Sequence, residues 1–205
     1  MIITAANQKG GVGKSTIAVH LVTWLREQNI NAALVDADVQ GSSSVWANEV
    51  DPGTPIYRFH TADEILDEVK ALTEAIVIID GPAGMGEVTR ATLLVADMAL
   101  IPCGPSVLDL RAASEAVRVL EQVRRIRGGV PRGAFIPNKL QKNYRLSEEL
   151  LVSAKSLGLA VAPGLGLRQA FADAAGQKSV VSRMNRPAEA AAREMEELFQ
   201  YLFGK

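Results

Sequence analysis

Gln8-Lys9-Gly10-Gly11-Val12-Gly13-Lys14-Ser15-Thr16 lies between a short β-branched run, Ile2 to Ala6, and a helical pattern from Lys14 to Gln28. That pattern puts Ile17, Leu21 and Leu25 on one helix face. Each residue type in the loop has a physical task. Glycines let successive backbone N–H groups turn inward around an anion with no Cβ in the way. The helix N-terminus behind them adds partial positive charge. Lys14 is placed to reach β- and γ-phosphates, and the Ser15 hydroxyl to ligate Mg²⁺. A strict Walker A sequence has glycine where Gln8 stands, so this is a deviant phosphate loop. The plainer alternative is a glycine-rich turn with a surface lysine. The strand–turn–helix setting argues against it.

Working outward, strand-length apolar runs alternate with helical patterns. Ala32 to Val35 ends at Asp36, Ile56 to Phe59 is short, and Ile76 to Ile79 is four branched residues ending at Asp80. Met98 to Pro102, Ala134 to Pro137 and a weaker run at Leu159 to Val161 follow. These runs are continuous rather than alternating, which fits strands buried on both faces. Between them, Thr61 and Glu64 form a capping box ahead of Ile65, Val69 and Leu72. Ser106 to Arg127 is stopped by Gly128-Gly129-Val130-Pro131, Ser147 to Leu157 by Gly158, and Pro187 opens a last helix running to Phe203. The expected fold is α/β: a mostly parallel sheet flanked by helices on both faces, one phosphate-loop domain over residues 1–205.

Two further segments follow strands. They are Asp36-Ala37-Asp38-Val39-Gln40-Gly41 and Asp80-Gly81-Pro82. A parallel sheet brings these carboxylates to the same edge as the phosphate loop. An acid there can hold Mg²⁺ through water, and another can orient an attacking water. One acid at a strand end is usually a helix cap; three in this order behind a phosphate loop are not explained that way.

Composition limits the alternatives. The 205 residues are 48% apolar, which excludes disorder for most of the chain. One cysteine, Cys103, excludes a disulfide scaffold. No apolar run reaches the roughly 18 residues of a membrane span. Met1-Ile2-Ile3-Thr4 lacks the basic start of a signal peptide, so a cytoplasmic protein is expected. The net charge of −1 hides an asymmetry. Residues 1–110 carry 6 Lys/Arg and 14 Asp/Glu, a net of −8; residues 111–205 carry 16 and 9, a net of +7. The basic half has three clusters. The first ends a long helix, where arginines are favoured anyway, and the second flanks Asn138. The third, Arg168, Lys178, Arg183 and Arg186, is the expected DNA-binding surface, with contacts to phosphates rather than bases.

Lys9-Gly-Gly-Val-Gly-Lys14-Ser15-Thr16, Asp36-x-Asp38-x-Gln40-Gly41 and Ile78-Ile79-Asp80-Gly81-Pro82 resemble the ParA/MinD group of deviant Walker ATPases. Pro105-Ser106-x-x-Asp109, Pro137-Asn138-Lys139 and the tail from Leu167-Arg168 extend the resemblance over nearly the whole chain. The short length is similar to the small ParA proteins of plasmid partition and cargo positioning. The resemblance implies an ATP- and Mg²⁺-dependent ATPase, weak alone and stimulated by a partner. Residues Lys9 to Thr16 and Asn138 would bind nucleotide, with Asn138 reading the adenine edge. Lys9 would reach across an ATP-sandwiched homodimer to the partner's phosphates. Asp38 would position the hydrolytic water. Asp80 would hold magnesium through water beside Ser15, and Asp36 would lie on the magnesium side or fix its loop. Asp36 to Gly41 and Gly81-Pro82 would be the switches. The ATP-bound dimer would bind DNA without reading sequence, associate with the nucleoid, and be released by a centromere-binding or cargo-adaptor protein. Relatives often have proline at the position of Val39 and threonine at that of Gly81.

Three other readings are weaker. The iron-protein branch of this superfamily needs bridging cysteines, and Cys103 is better read as a buried small residue. A MinD-like membrane-surface role would use the last helix. Its stripe of Met195, Leu198, Phe199, Leu202 and Phe203 carries an acidic polar face, which disfavours anionic lipid and favours packing on the domain. A biosynthetic phosphate-loop enzyme would need a second, small-molecule motif, and none is seen.

Overall fold

In the computed structural model, which describes residues 1–204, the chain alternates strands and helices. The strands are β1 (Ile2–Asn7), β2 (Ala32–Asp36), β3 (Ile56–Arg58), β4 (Ile76–Ala83), β5 (Met98–Cys103), β6 (Arg132–Pro137) and β7 (Ala160–Val161). The helices are α1 (Lys14–Glu27), α2 (Ser42–Val50), α3 (Ala62–Glu68), α4 (Glu87–Val95), α5 (Val107–Ile126), α6 (Arg145–Ser156), α7 (Gln169–Gly176) and α8 (Glu189–Phe203). All seven strands are parallel, in the order β3-β2-β4-β1-β5-β6-β7. The chain leaves β1 towards one side of the sheet and later returns to its other side at β5. That reversal opens a crevice beyond the carboxyl end of β1.

Both faces of the sheet are covered, which is why β2 and β5 are buried at every residue. On one face α1, α2, α7 and α8 enclose Ile17, Leu21, Leu34, Ile78, Leu198 and Phe199. On the other, α5 and α6 pack on Ile101 and Phe135, and α3 and α4 on Val35 and Ile79. The stripe of α8 is spent on this core: Trp24 of α1 stacks on Phe203, and its Nε1 donates to Glu196 at 2.6 Å. No helix among the described residues is long and apolar enough to cross a membrane. The capping box of Thr61 and Glu64 closes as read. Cys103 is buried, and burial pushes its thiol up to about 12, so it is chemically quiet.

Three helices have no counterpart in the sequence reading: α2, α4 and α7. Each has eight or nine residues. α2 starts with Ser42-Ser43-Ser44, residue types that favour caps and turns over helix interiors, and places only Trp46 and Ala47 in the core. Pro187 sits in a 3₁₀ turn, Arg186–Ala188, just before α8. β4 runs on past Ile79 through Gly81 and Pro82 to Ala83, pairing with a β1 that extends to Asn7. Gly81-Pro82, expected to begin the second switch, lie in strand β4. A Cβ on Gly81 would lie 2.6 Å from Ala5 O, so the threonine of many relatives would not fit this pairing.

Candidate nucleotide site

The loop from Gln8 to Gly13 joins β1 to α1 at the crevice. Asn7, buried at the end of β1, starts it: Nδ2 donates to Pro102 O at 2.7 Å and Oδ1 accepts Lys9 N–H at 2.9 Å. Gly84 N–H donates to Gln8 O at 2.8 Å, tying the loop to the end of β4. A cleft of about 520 Å³ opens above, lined by Gly10, Gly13, Lys14, Ser15, Asp38 and Asn138, with Phe171 on its far wall. Gly10, Gly11, Gly13 and Lys14 to Thr16 are thus gathered with Asp38 and Asn138 at one cavity, while Lys9 and Val12 do not line it.

Lys14 is buried at the foot of the cleft, and its Nζ donates to Lys9 O at 3.1 Å. Burial lowers its pKa, and the charges of Asp80 and Asp38 oppose that. Asp80 is 1% exposed. Burial pushes its carboxyl up to about 6, against the Ser15 and Ser43 hydroxyls beside it. Among the described residues, Asp80 Oδ1 and Ser43 Oγ have no hydrogen-bond partner. An orphaned buried carboxylate oxygen next to Ser15 fits a hydrated cation, which would satisfy both the oxygen and its charge.

Asp36 is different. Its Oδ1 accepts Asp38 N–H at 3.1 Å and its Oδ2 accepts Ser44 N–H at 2.8 Å. Each oxygen accepts one backbone N–H, a geometry that fits loop fixing. Asp38 lines the cleft half-buried. Its Oδ1 accepts Gln40 N–H at 3.0 Å, and Gly41 N–H closes the turn on Asp38 O at 2.9 Å.

Lys9 stands exposed, its Nζ ion-paired with Asp109 in the first turn of α5. Asn138, at the end of β6, braces the loop: Nδ2 donates to Val12 O at 2.6 Å, and Oδ1 accepts Lys139 N–H at 2.8 Å. Lys139 Nζ adds a bond to Gly11 O at 2.7 Å. The amide expected to read adenine is engaged with the phosphate loop itself. Asn7, Ser43, Asp109 and Lys139 had no assigned role in the sequence reading. Asp109 and Lys139 lay inside quoted motifs; Asn7 and Ser43 carried no signal.

The expected DNA-binding cluster is dispersed among ion pairs. Arg168 grips Glu194 of α8 through two bonds, at 2.9 and 2.6 Å, and lines the cleft. Lys178 pairs with Glu49 at 3.1 Å. Arg183 pairs with Glu27 at 2.7 Å and donates to Val50 O at 3.0 Å. Arg186 is exposed and, among the described residues, pairs with no carboxylate.

Residues 3–182 match the family described as the CobQ/CobB/MinD/ParA nucleotide binding domain. The chain belongs to that family. It is similar to the Maintenance of carboxysome distribution protein A of Halothiobacillus neapolitanus, 29% identical over 170 residues, 78% of this chain and 76% of that protein. Protein ParA of Rhizobium radiobacter is 29% identical over 125 residues, 59% of this chain and 56% of that one. Among solved structures, apo McdA from Cyanthece superposes with a TM-score of 0.80 at 17% identity, over 99% of this chain and 98% of that one. That likeness is one of fold, and the α/β architecture read from the sequence is the family's architecture.

Proposed function

We propose that the protein is an ATP-dependent positioning or partition ATPase that closes into a homodimer around two nucleotides. One observation carries this reading: Lys14, Ser15 and Asp38 line one cleft, the orphaned Asp80 is buried beside Ser15, and Lys9 of the same loop is exposed. The kinship with carboxysome-distribution and partition proteins supports it. A related fold has been solved as an ATP complex. Backbone N–H groups and Lys14 hold the β- and γ-phosphates. Ser15 directly and Asp80 through water would hold magnesium, which would supply charge neutralisation at those phosphates. Asp38, its backbone fixed by Asp36, orients the attacking water. Lys9 exchanges Asp109 for phosphate on the facing subunit. The exchange makes sense electrostatically, because Lys9 is exposed and keeps its charge at the surface, where one ion pair is worth little.

Non-specific DNA binding by the ATP-bound dimer belongs to the same proposal, as does release by a centromere-binding or cargo-adaptor partner. The pairing of Arg168, Lys178 and Arg183 adds a condition. DNA phosphates must replace Glu194, Glu49 and Glu27, so these residues contribute only where the carboxylates let go. Two variants test the catalytic reading. Lys14→Ala should lose ATP binding, because the phosphates lose their point charge. Asp38→Ala should bind Mg-ATP and hydrolyse it far more slowly. ATP affinity unchanged in the first variant, or hydrolysis at the wild-type rate in the second, would overturn it.

A further inference from the structure

Arg58 is the last residue of β3, in register with Asp36 on β2. Its neighbour but one, Ile56, packs into the core on the α1 and α2 side. Strand side chains alternate faces, so Arg58 rises on that side as well, under the first turns of α2. There its Nε donates to Ser44 Oγ at 2.9 Å, and Ser44 Oγ donates to Gly41 O at 2.8 Å. Gly41 is the residue whose N–H closes the turn on Asp38 O. The guanidinium carbon lies 3.9 Å from where a Cβ on Gly41 would stand. Ser44 is 2% exposed, and its N–H is held by Asp36 Oδ2. Its single hydroxyl proton can serve only one acceptor. Arg58 occupies a lone pair and so aims that proton at Gly41 O. The Asp38–Gly41 turn is therefore gripped twice, by Asp36 from the strand and by Arg58 through Ser44. Arg58 does not line the nucleotide cleft; it opens onto a separate shallow groove with Val45, Asn48 and Glu49.

We propose that Arg58 is a positioning residue for hydrolysis: through Ser44 it fixes the turn that carries Asp38. The inference rests on the reading of Asp38 as the residue that orients water. It concerns the rate of the chemical step and not the affinity for nucleotide, because the chain of bonds ends at Gly41 and not at the phosphate loop.

Two variants separate the donor from the charge. Arg58→Met keeps an apolar stem and removes the donor. Arg58→Gln places an amide N–H at the same bond count from the backbone as Nε and removes the charge. The assay is single-turnover hydrolysis of Mg-ATP with protein in excess, with ATP affinity and thermal unfolding measured in parallel. Arg58→Met should slow hydrolysis roughly tenfold, as loosened placement of a reacting group does, with ATP affinity and Tm unchanged. Arg58→Gln should restore most of the rate. Ser44→Ala should match Arg58→Met, and the double variant should fall no further, since both cut one chain. Should Arg58→Met fail to fold, Ser44→Ala carries the same comparison. An unchanged rate, a loss of ATP affinity in step with rate, or no recovery in Arg58→Gln would overturn the inference. Asp38→Ala runs alongside: a wild-type rate there removes the reading of Asp38. A slow Asp38→Ala beside an unaffected Arg58→Met removes only the role of Arg58.

Discussion

Replacing Gly13 by alanine should damage the phosphate loop more than replacing Gly11. Both glycines have positive φ, +104° and +73°. An L-residue in the left-handed region costs about 1–2 kcal/mol, so each substitution carries that strain. At Gly11 a Cβ meets nothing within 4 Å, and the strain is the whole cost. At Gly13 the Cβ would stand 2.3 Å from Asn138 Nδ2. The amide must move, and its bond to Val12 O goes with it. Leaving a buried polar group unpaired costs about 1–3 kcal/mol. Gly13→Ala should therefore lose about 2–5 kcal/mol and Gly11→Ala about 1–2 kcal/mol. Urea unfolding at constant m-value reads both. Adding Asn138→Ala to Gly13→Ala should cost less than Asn138→Ala does in the wild type, because the bond to Val12 O is already lost and removing the amide relieves the clash. Equal losses for the two glycines, or strict additivity with Asn138→Ala, would refute the brace between β6 and the loop.

Other predictions follow from buried and paired charges. His20 is fully buried and its pKa is lowered to about 4, first by burial, while its Nδ1 meets Thr16 O at 2.7 Å and its Nε2 accepts Val181 N–H at 3.1 Å. The unfolded chain takes up a proton near pH 6.5 and the folded one does not, so stability falls as pH drops from about 6.5 to about 4, by about 3 kcal/mol in all. His20→Gln should flatten that slope in pH-dependent denaturation; an unchanged slope would exclude His20 as its source. Glu27→Gln with Glu49→Gln should free Arg183 and Lys178 and strengthen DNA binding, most at low salt. No gain across a salt series would mean that these cations are not part of a DNA surface.

The sequence reading was strongest where a function sits in a short continuous motif. Lys14-Ser15, Asp38 just beyond β2 and Asp80 near the end of β4 could be placed because a parallel sheet brings the carboxyl ends of its strands together whatever their separation in the chain. It failed where a partner lies far away and carries no pattern. Lys9 finds Asp109, 100 residues on, and an acid in the first turn of a helix is explained locally by the helix dipole. The engagement of Asn138 with Val12, 126 residues away, carried no sequence signal either. The charge asymmetry left these ion pairs out for the same reason. A count ignores partners, and Glu27 and Glu49 of the acidic half neutralise Arg183 and Lys178 of the basic half. The short helices α2 and α7 escaped because each offers only a few core residues, too few to set up a period, and α4 because its apolar residues split between two clusters.

The central claim is that nucleotide closes two copies of this chain through Lys9. Its most direct test is the mass in solution of wild type and Lys9→Ala, each with and without Mg²⁺ and a slowly hydrolysed ATP analogue. Wild type should shift from monomer to dimer only with the analogue, and Lys9→Ala should bind the analogue and remain a monomer. A wild type that stays monomeric, or a Lys9→Ala variant that dimerises as well as wild type, would contradict the account.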